Sequence, residues 1–134
     1  MNGCQKSAIA GCVAVLLWSV AGLIVNPDFS TGVDATSELV LGVDMNGWHA
    51  VSGFLVVIPV LAVLRNEELL PWVMLAAAVG LFATAGWALF TEYPAGGLFY
   101  FPNRLGDVLL HLGTTAIFGY GAWVGLSRRA AQPA

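Results

Sequence analysis

Four stretches of this chain, residues 7–25, 48–64, 71–90 and 108–126, contain no Asp, Glu, Lys or Arg. Each runs for about 17–20 residues, enough at 1.5 Å per residue to cross a hydrocarbon core of roughly 30 Å. The outer helices of a soluble bundle carry a charged face, and none of these stretches has one. Charged residues are only 10% of the chain, where a soluble domain carries about a quarter, and mean hydropathy is +0.80. With 134 residues there is room for one domain. The expectation is an all-α fold: a four-helix transmembrane bundle forming a single integral membrane domain over 1–134. The first stretch is long for the apolar region of a signal peptide and has no A-x-A pattern before Asn26-Pro27, so it reads as an uncleaved anchor.

The basic residues orient the bundle. Lys6 precedes the first stretch, Arg65 lies between the second and third, and Arg128 and Arg129 follow the fourth; the connections 26–47 and 91–107 hold only Arg104. The positive-inside rule then places both termini in the cytoplasm of a cell whose plasma (inner) membrane holds the chain. Asp28, Asp34, Glu38, Asp44, Glu92 and Asp107 fall on the outer side. No basic cluster exceeds two residues, which excludes a nucleic-acid footprint. Trp48, Trp87, Tyr93, Phe99, Tyr100 and Phe101 suit an outer aromatic belt and Trp72 and Trp123 an inner one, while Trp18 lies deeper, as a packing residue. The outer segments 36–43 (TSELVLGV) and 96–101 (GGLFYF) are apolar enough to cover the end of the bundle, as a short helix or a re-entrant turn.

Each half of the chain reads as helix, long outer loop, then a helix opening with a histidine: DMNGWHAVSGF and NRLGDVLLHLG. This suggests two parallel helix-loop-helix repeats, with His49 and His111 at matching depths. Membrane helices associate through close backbone approach and buried polar groups, so small residues mark the packing faces. Those faces are Ala8, Gly11, Ser19 and Gly22 on the first helix, and His49, Ser52, Gly53, Val56 and Val60 on the second. The third offers Ala76, Gly80, Ala83 and Thr84, and the fourth Asp107, His111, Thr114, Thr115, Phe118, Gly121, Ala122 and Gly125. Leu109, Leu112 and Ala116 fall on the opposite, lipid-facing side of the fourth helix. Pro59 frees the carbonyl of Leu55 and predicts a bend in the second helix. Cys4 and Cys12, eight residues apart, are about 12 Å apart on a helix and read as free thiols.

The polar residues at the outer end are Asn46, His49, Asn103, Arg104, Asp107 and His111. Asp107 precedes His111 by one helical turn, so a direct hydrogen bond between them is expected. Arg104 can reach Asp107, and Asn46 and Asn103 can cap their helices. These groups finish helix ends; alternatively, His49 and His111, with Asp107, Asp44 or Glu38 nearby, bind zinc or copper on the outer face, Asp107 then orienting His111. No HxxxH, HxxE or CxxC pattern accompanies them. Haem between the histidines lacks basic partners for its propionates. No ionisable residue occupies the middle of any stretch, as a transporter path would require. No nucleophile elbow marks a catalytic site.

Phe101, Pro102, Asn103, Asp107, Leu110, His111, Leu112 and Gly113 resemble the F-V-P-x-N-x-x-D-N-x-L-H-L signature of a bacterial domain-of-unknown-function family of small four-helix integral membrane proteins. Asn46, His49 and Gly53 are similar to the phrase that opens the second helix of that family. Val108 stands where the family has its second Asn, and one histidine stands where the second phrase has two. The resemblance implies the four-helix fold and a polar outer cluster, and no activity. With no catalytic site and no required cofactor, the expected role is an accessory or self-assembling subunit of a membrane or envelope complex. Its partners would be the bilayer and other membrane subunits or further copies of itself.

Overall fold

The computed structural model describes residues 1–31, 36–90 and 105–131. Four helices and one small hairpin follow in the order α1 (Gly3–Val25), β1 (Glu38–Val40), β2 (Val43–Met45), α2 (Gly47–Ala62), α3 (Leu70–Phe90) and α4 (Leu105–Ala130). Local chemistry sets the helix starts. Asn2 and Gln5 form a capping box on α1, each side chain bonded to the other's backbone N–H at 2.9 Å. Asn46 caps α2 as predicted, its Oδ1 accepting from the His49 amide at 2.9 Å. Before α3, Asn66 Oδ1 accepts from the amides of Glu68 and Leu69, and Pro71 falls in the first turn, where its missing N–H is no loss. On α4, Asp107 in the first turn and Arg128 and Arg129 in the last both suit the helix dipole.

Three helices, α1, α3 and α4, are long and apolar enough to cross a membrane. The fourth predicted span comes out shorter: α2 has 16 residues, about 24 Å. It begins under the hairpin at Asn46 and ends before the polar turn containing Arg65, Asn66, Glu67 and Glu68. It runs through Pro59 to Ala62.

The core lies where α1 crosses α4. Phe118, fully buried, presses its ring on Gly11, where any Cβ would stand 2.7 Å from the ring edge. Around it pack Cys4, Ala8, Cys12 and Val15 of α1, Val57 and Val60 of α2, and Leu70, Met74, Ala78 and Leu81 of α3. Both thiols are free and buried, Cys4 Sγ lying 3.6 Å from Met74 Sδ. Gly22 fits against Met45 and Ala50, Gly53 against Ser19, Gly121 against Met74 and Ser7, and Gly125 against Pro71. The predicted packing faces of α1, α2 and α4 are therefore the observed ones, and Leu109, Leu112 and Ala116 are exposed.

On α3 the prediction fails. Leu70, Met74, Ala78, Leu81 and Ala85 are buried, whereas Ala76, Gly80, Ala83 and Thr84 are exposed, and a Cβ at Gly80 would meet nothing within 4 Å. Gly80 is not a packing glycine. The helix is apolar all round, so composition alone does not distinguish its two small-residue faces, and the fit of Met74 against Gly121 selects the other one.

The segment 36–43 forms neither a helix nor a re-entrant turn. Residues 38–45 make an antiparallel hairpin, with Glu38 paired to Met45, Leu39 to Asp44 and Val40 to Val43. Its tip, Leu41-Gly42, has positive φ at both residues (51° and 86°), the twist a two-residue hairpin needs. Val40, Val43 and Met45 bury against Ala50, Trp18, Ala21, Leu23 and Leu110, which fastens the hairpin between α1 and α4. The fit is close at Gly106, where a Cβ would run into the Gly42 carbonyl. The 26–31 segment joins in. Asn26 Nδ2 donates to the Met45 carbonyl at 3.3 Å, Trp48 Nε1 donates to Phe29 O at 2.8 Å, and the two aromatic rings meet edge to face.

α3 packs along α4, and α1 packs against both α2 and α4, but α2 and α3 meet only over a short stretch. The bundle is thereby left open along one flank.

Candidate functional site

The hairpin and the first turns of α2 and α4 bring three of the predicted polar residues together. His49, third in α2, is directed by the Asn46 cap toward the hairpin, where its Nδ1 lies 2.8 Å from the Asp44 carbonyl. A carbonyl oxygen only accepts, so Nδ1 carries the hydrogen and, in that tautomer, Nε2 carries the lone pair. Asp107, completely buried, places Oδ1 3.5 Å from the same Nδ1 and accepts the Asp44 amide at Oδ2, at 3.4 Å. The expected hydrogen bond from Asp107 to His111 is not formed: the carboxylate orients His49 instead. Adjacency on one helix loses here to tertiary placement, because the buried hairpin offers Asp107 a backbone donor as well as an imidazole.

His111 meets His49 through its ring face. The centroids are 5.9 Å apart and the planes 21° from parallel, so the two imidazoles lie against each other. His111 Nδ1 is buried and has no hydrogen-bond partner among the described residues. Asn103 and Arg104, predicted members of this cluster, lie outside the described residues, as do Glu92, Tyr93, Phe99, Tyr100 and Phe101. Asp44, expected as a carboxylate near the histidines, contributes its backbone carbonyl and amide, which no residue pattern announces. Trp18, expected as a packing residue, has an indole Nε1 that is buried and likewise unpartnered among the described residues. A deep tryptophan in an uncharged stretch is itself a signal, because its N–H needs a partner.

Below the histidines the open flank becomes a cleft of about 670 Å³. Trp18 and Ser19 of α1, Ser52, Gly53 and Val56 of α2, and Leu110, His111 and Thr114 of α4 form its walls. The outward-facing stripe of α3, Ala76, Gly80, Ala83 and Thr84, forms its rim. Leu55, Pro59 and Trp87, also at its edge, are exposed, so the opening faces sideways along the helices. His49, which stands in the first turn of α2, lines it with Trp18 and His111.

A metal site on His49, His111 and Asp107 gains no support from this geometry. Among the described residues, no group of three or more His, Cys, Asp or Glu side chains is placed to hold an ion. Two nearly parallel stacked imidazoles also direct their in-plane lone pairs along parallel planes, whereas a tetrahedral ion requires them to converge.

Comparison with known proteins found no family model, no curated protein and no solved structure that matches the chain.

Proposed function

We propose that this chain is a small integral membrane protein that binds a lipophilic molecule from the bilayer in the cleft between α2 and α3. One observation carries this reading: a cleft of about 670 Å³ with mainly apolar walls lies between α2 and α3, and Trp18, His49 and His111 line its hairpin end. Such walls suit a guest with an apolar body and a polar head. The hairpin roofs the head end, and the open flank gives the body access from the acyl-chain region. In this reading the hairpin supplies the depth that the short α2 does not span. Lys6, Arg65, Arg128 and Arg129 keep both termini on the cytoplasmic side of the inner membrane, and the histidine end faces outward.

Native mass spectrometry of the protein released from nanodiscs made with its own membrane lipids tests the reading. Wild-type protein should retain a small lipophile, and Gly80→Phe should lose it, since Gly80 lines the cleft and touches no core residue. Equal retention by the two proteins, or none by either, would overturn it.

A second reading, an accessory subunit that pairs with another membrane helix or with its own copy, draws on the exposed glycines Gly80 and Gly113, where an added Cβ meets nothing. Chemical cross-linking in native membranes, with Gly80→Phe and Gly113→Phe as interface probes, tests this reading.

A further inference from the structure

We propose that the end of the bundle carrying both termini holds a second site, for the phosphoethanolamine head of a phospholipid. Arg128 and Arg129 would take the phosphate, and Glu67 and Glu68 the ammonium. The site shares no lining residue with the cleft between α2 and α3 and stands or falls without it.

Three helix ends meet there. Asn2 before α1, Glu67 and Glu68 before α3, and Arg128 and Arg129 in the last turn of α4 line a pocket of about 380 Å³. Leu70 and Pro71, both buried, close its inner side. Glu67, Glu68 and Arg128 are exposed and Arg129 is half-buried. Glu67 accepts a hydrogen bond from Asn2 Nδ2 at 3.0 Å. Among the described residues, neither arginine forms an ion pair with a carboxylate, so the two signs of charge face one space without closing on each other.

The dipole of α4 and the positive-inside rule both account for arginines at this end, but neither accounts for two carboxylates lining the same pocket. A guest of a single sign would be repelled by half of this set, whereas a guest with both signs meets a complement to each. The guanidinium fork matches phosphate oxygens. A carboxylate only accepts, so it calls for a cation that bears N–H groups; a primary ammonium has three and a quaternary one has none. Phosphoethanolamine joins the two required groups on one short head. The surroundings point to a lipid as its source. Trp72, beside Pro71, and Trp123, two residues before Gly125, are exposed on α3 and α4. Exposed tryptophans at the ends of spanning helices mark the headgroup level, and charged pockets between such helices take lipid heads.

The test titrates full-length protein in detergent micelles with dioleoyl phosphatidylethanolamine, phosphatidylcholine and phosphatidylglycerol, and with water-soluble phosphoethanolamine. Native mass spectrometry reads retention, and the thermal midpoint reads stabilisation by the bound head. Phosphatidylethanolamine should bind about tenfold more tightly than the other two lipids, the equivalent of one charge-assisted hydrogen bond. Glu67→Gln combined with Glu68→Gln should abolish its advantage over phosphatidylcholine and leave phosphatidylcholine binding unchanged. Arg128→Gln combined with Arg129→Gln should weaken both lipids. Circular dichroism identifies variants that fold, and the wild-type ranking of the lipids stands whether or not a variant does. If phosphatidylethanolamine binds no tighter than phosphatidylcholine or than phosphatidylglycerol, the head assignment is overturned. Soluble phosphoethanolamine binding as tightly as the lipid overturns the lipid source.

Discussion

Asp107 passes over His111, one turn along its own helix, and stands 3.5 Å from Nδ1 of His49 on α2 while accepting the amide of Asp44 from the hairpin. One fully buried carboxylate thus joins α4, α2 and β2. Asp107→Ala removes the buried acceptor of the Asp44 amide and the carboxylate beside His49, and loss of that acceptor weakens the fold by about 1–3 kcal/mol. The expected outcome is a lower thermal midpoint in detergent together with faster hydrogen exchange at the Asp44 amide. Asp107→Asn, which keeps an acceptor, should lose less.

Glycines that look equivalent in the sequence are not equivalent in the fold. Gly11 lies under the Phe118 ring and Gly121 against Met74, whereas Gly80 and Gly113 face open space. Gly11→Leu and Gly121→Leu should destabilise by about 1–3 kcal/mol or more through overpacking. Gly80→Leu and Gly113→Leu should leave the thermal midpoint within about 0.5 kcal/mol of wild type. Parallel melts of the four variants in one detergent make the comparison.

Asp28 sits outside the helices in a ring of donors: the Ser30 hydroxyl at 2.5 Å, the Thr36 hydroxyl at 2.7 Å and both backbone amides. The Ser30 and Thr36 hydroxyls, with the amides behind them, hold its carboxyl well below the usual carboxylate range. A folded value below the unfolded one means that folding favours the ionised form. That contribution is complete above the ordinary carboxylate value of about 4 and is lost as pH falls through the folded value. Hydrogen exchange at Ser30 and Thr36 should therefore stay slow at pH 4 and accelerate only at more acid pH. Combining Ser30→Ala with Thr36→Ala should raise the Asp28 titration, followed by carbon NMR, toward its ordinary position.

Trp18→Phe removes a buried donor that has no partner among the described residues. In delipidated protein it should raise stability by about 1 kcal/mol, seen as a higher thermal midpoint.

Cys4 and Cys12 are both buried against the core of α1, α3 and α4. Neither should react with a maleimide in the folded protein, and both should react once the bundle is unfolded in SDS. Labelling followed by intact-mass measurement reads this directly.

The helices were legible because uncharged stretches of spanning length admit few alternatives, and three of the four packing faces followed from small residues on one side. The α3 face was not legible. Met74 and Ala78 on one side, and Ala76 and Gly80 on the other, are similarly small or pliable, and only the partner helix distinguishes them. The hairpin was missed because two three-residue strands, turning at a non-glycine residue with positive φ, have little local preference; Leu41 holds that conformation because Val40, Val43 and Met45 are anchored between α1 and α4. His49, Asp107 and His111 were legible as members of the polar cluster, but their pairing was not. Which imidazole Asp107 reaches depends on where Asp44 lies, and that is a property of the hairpin.

The short contact between α2 and α3 has a bearing on how affinity should be measured. On the lipophile-binding proposal, a guest dissolved in the bilayer would reach this flank without crossing water, so its occupancy would follow its mole fraction among the lipids and not its molarity in the buffer. Adding detergent or empty vesicles at constant total guest should strip the protein by dilution alone, and dissociation constants become comparable only when referred to the same ratio of guest to lipid.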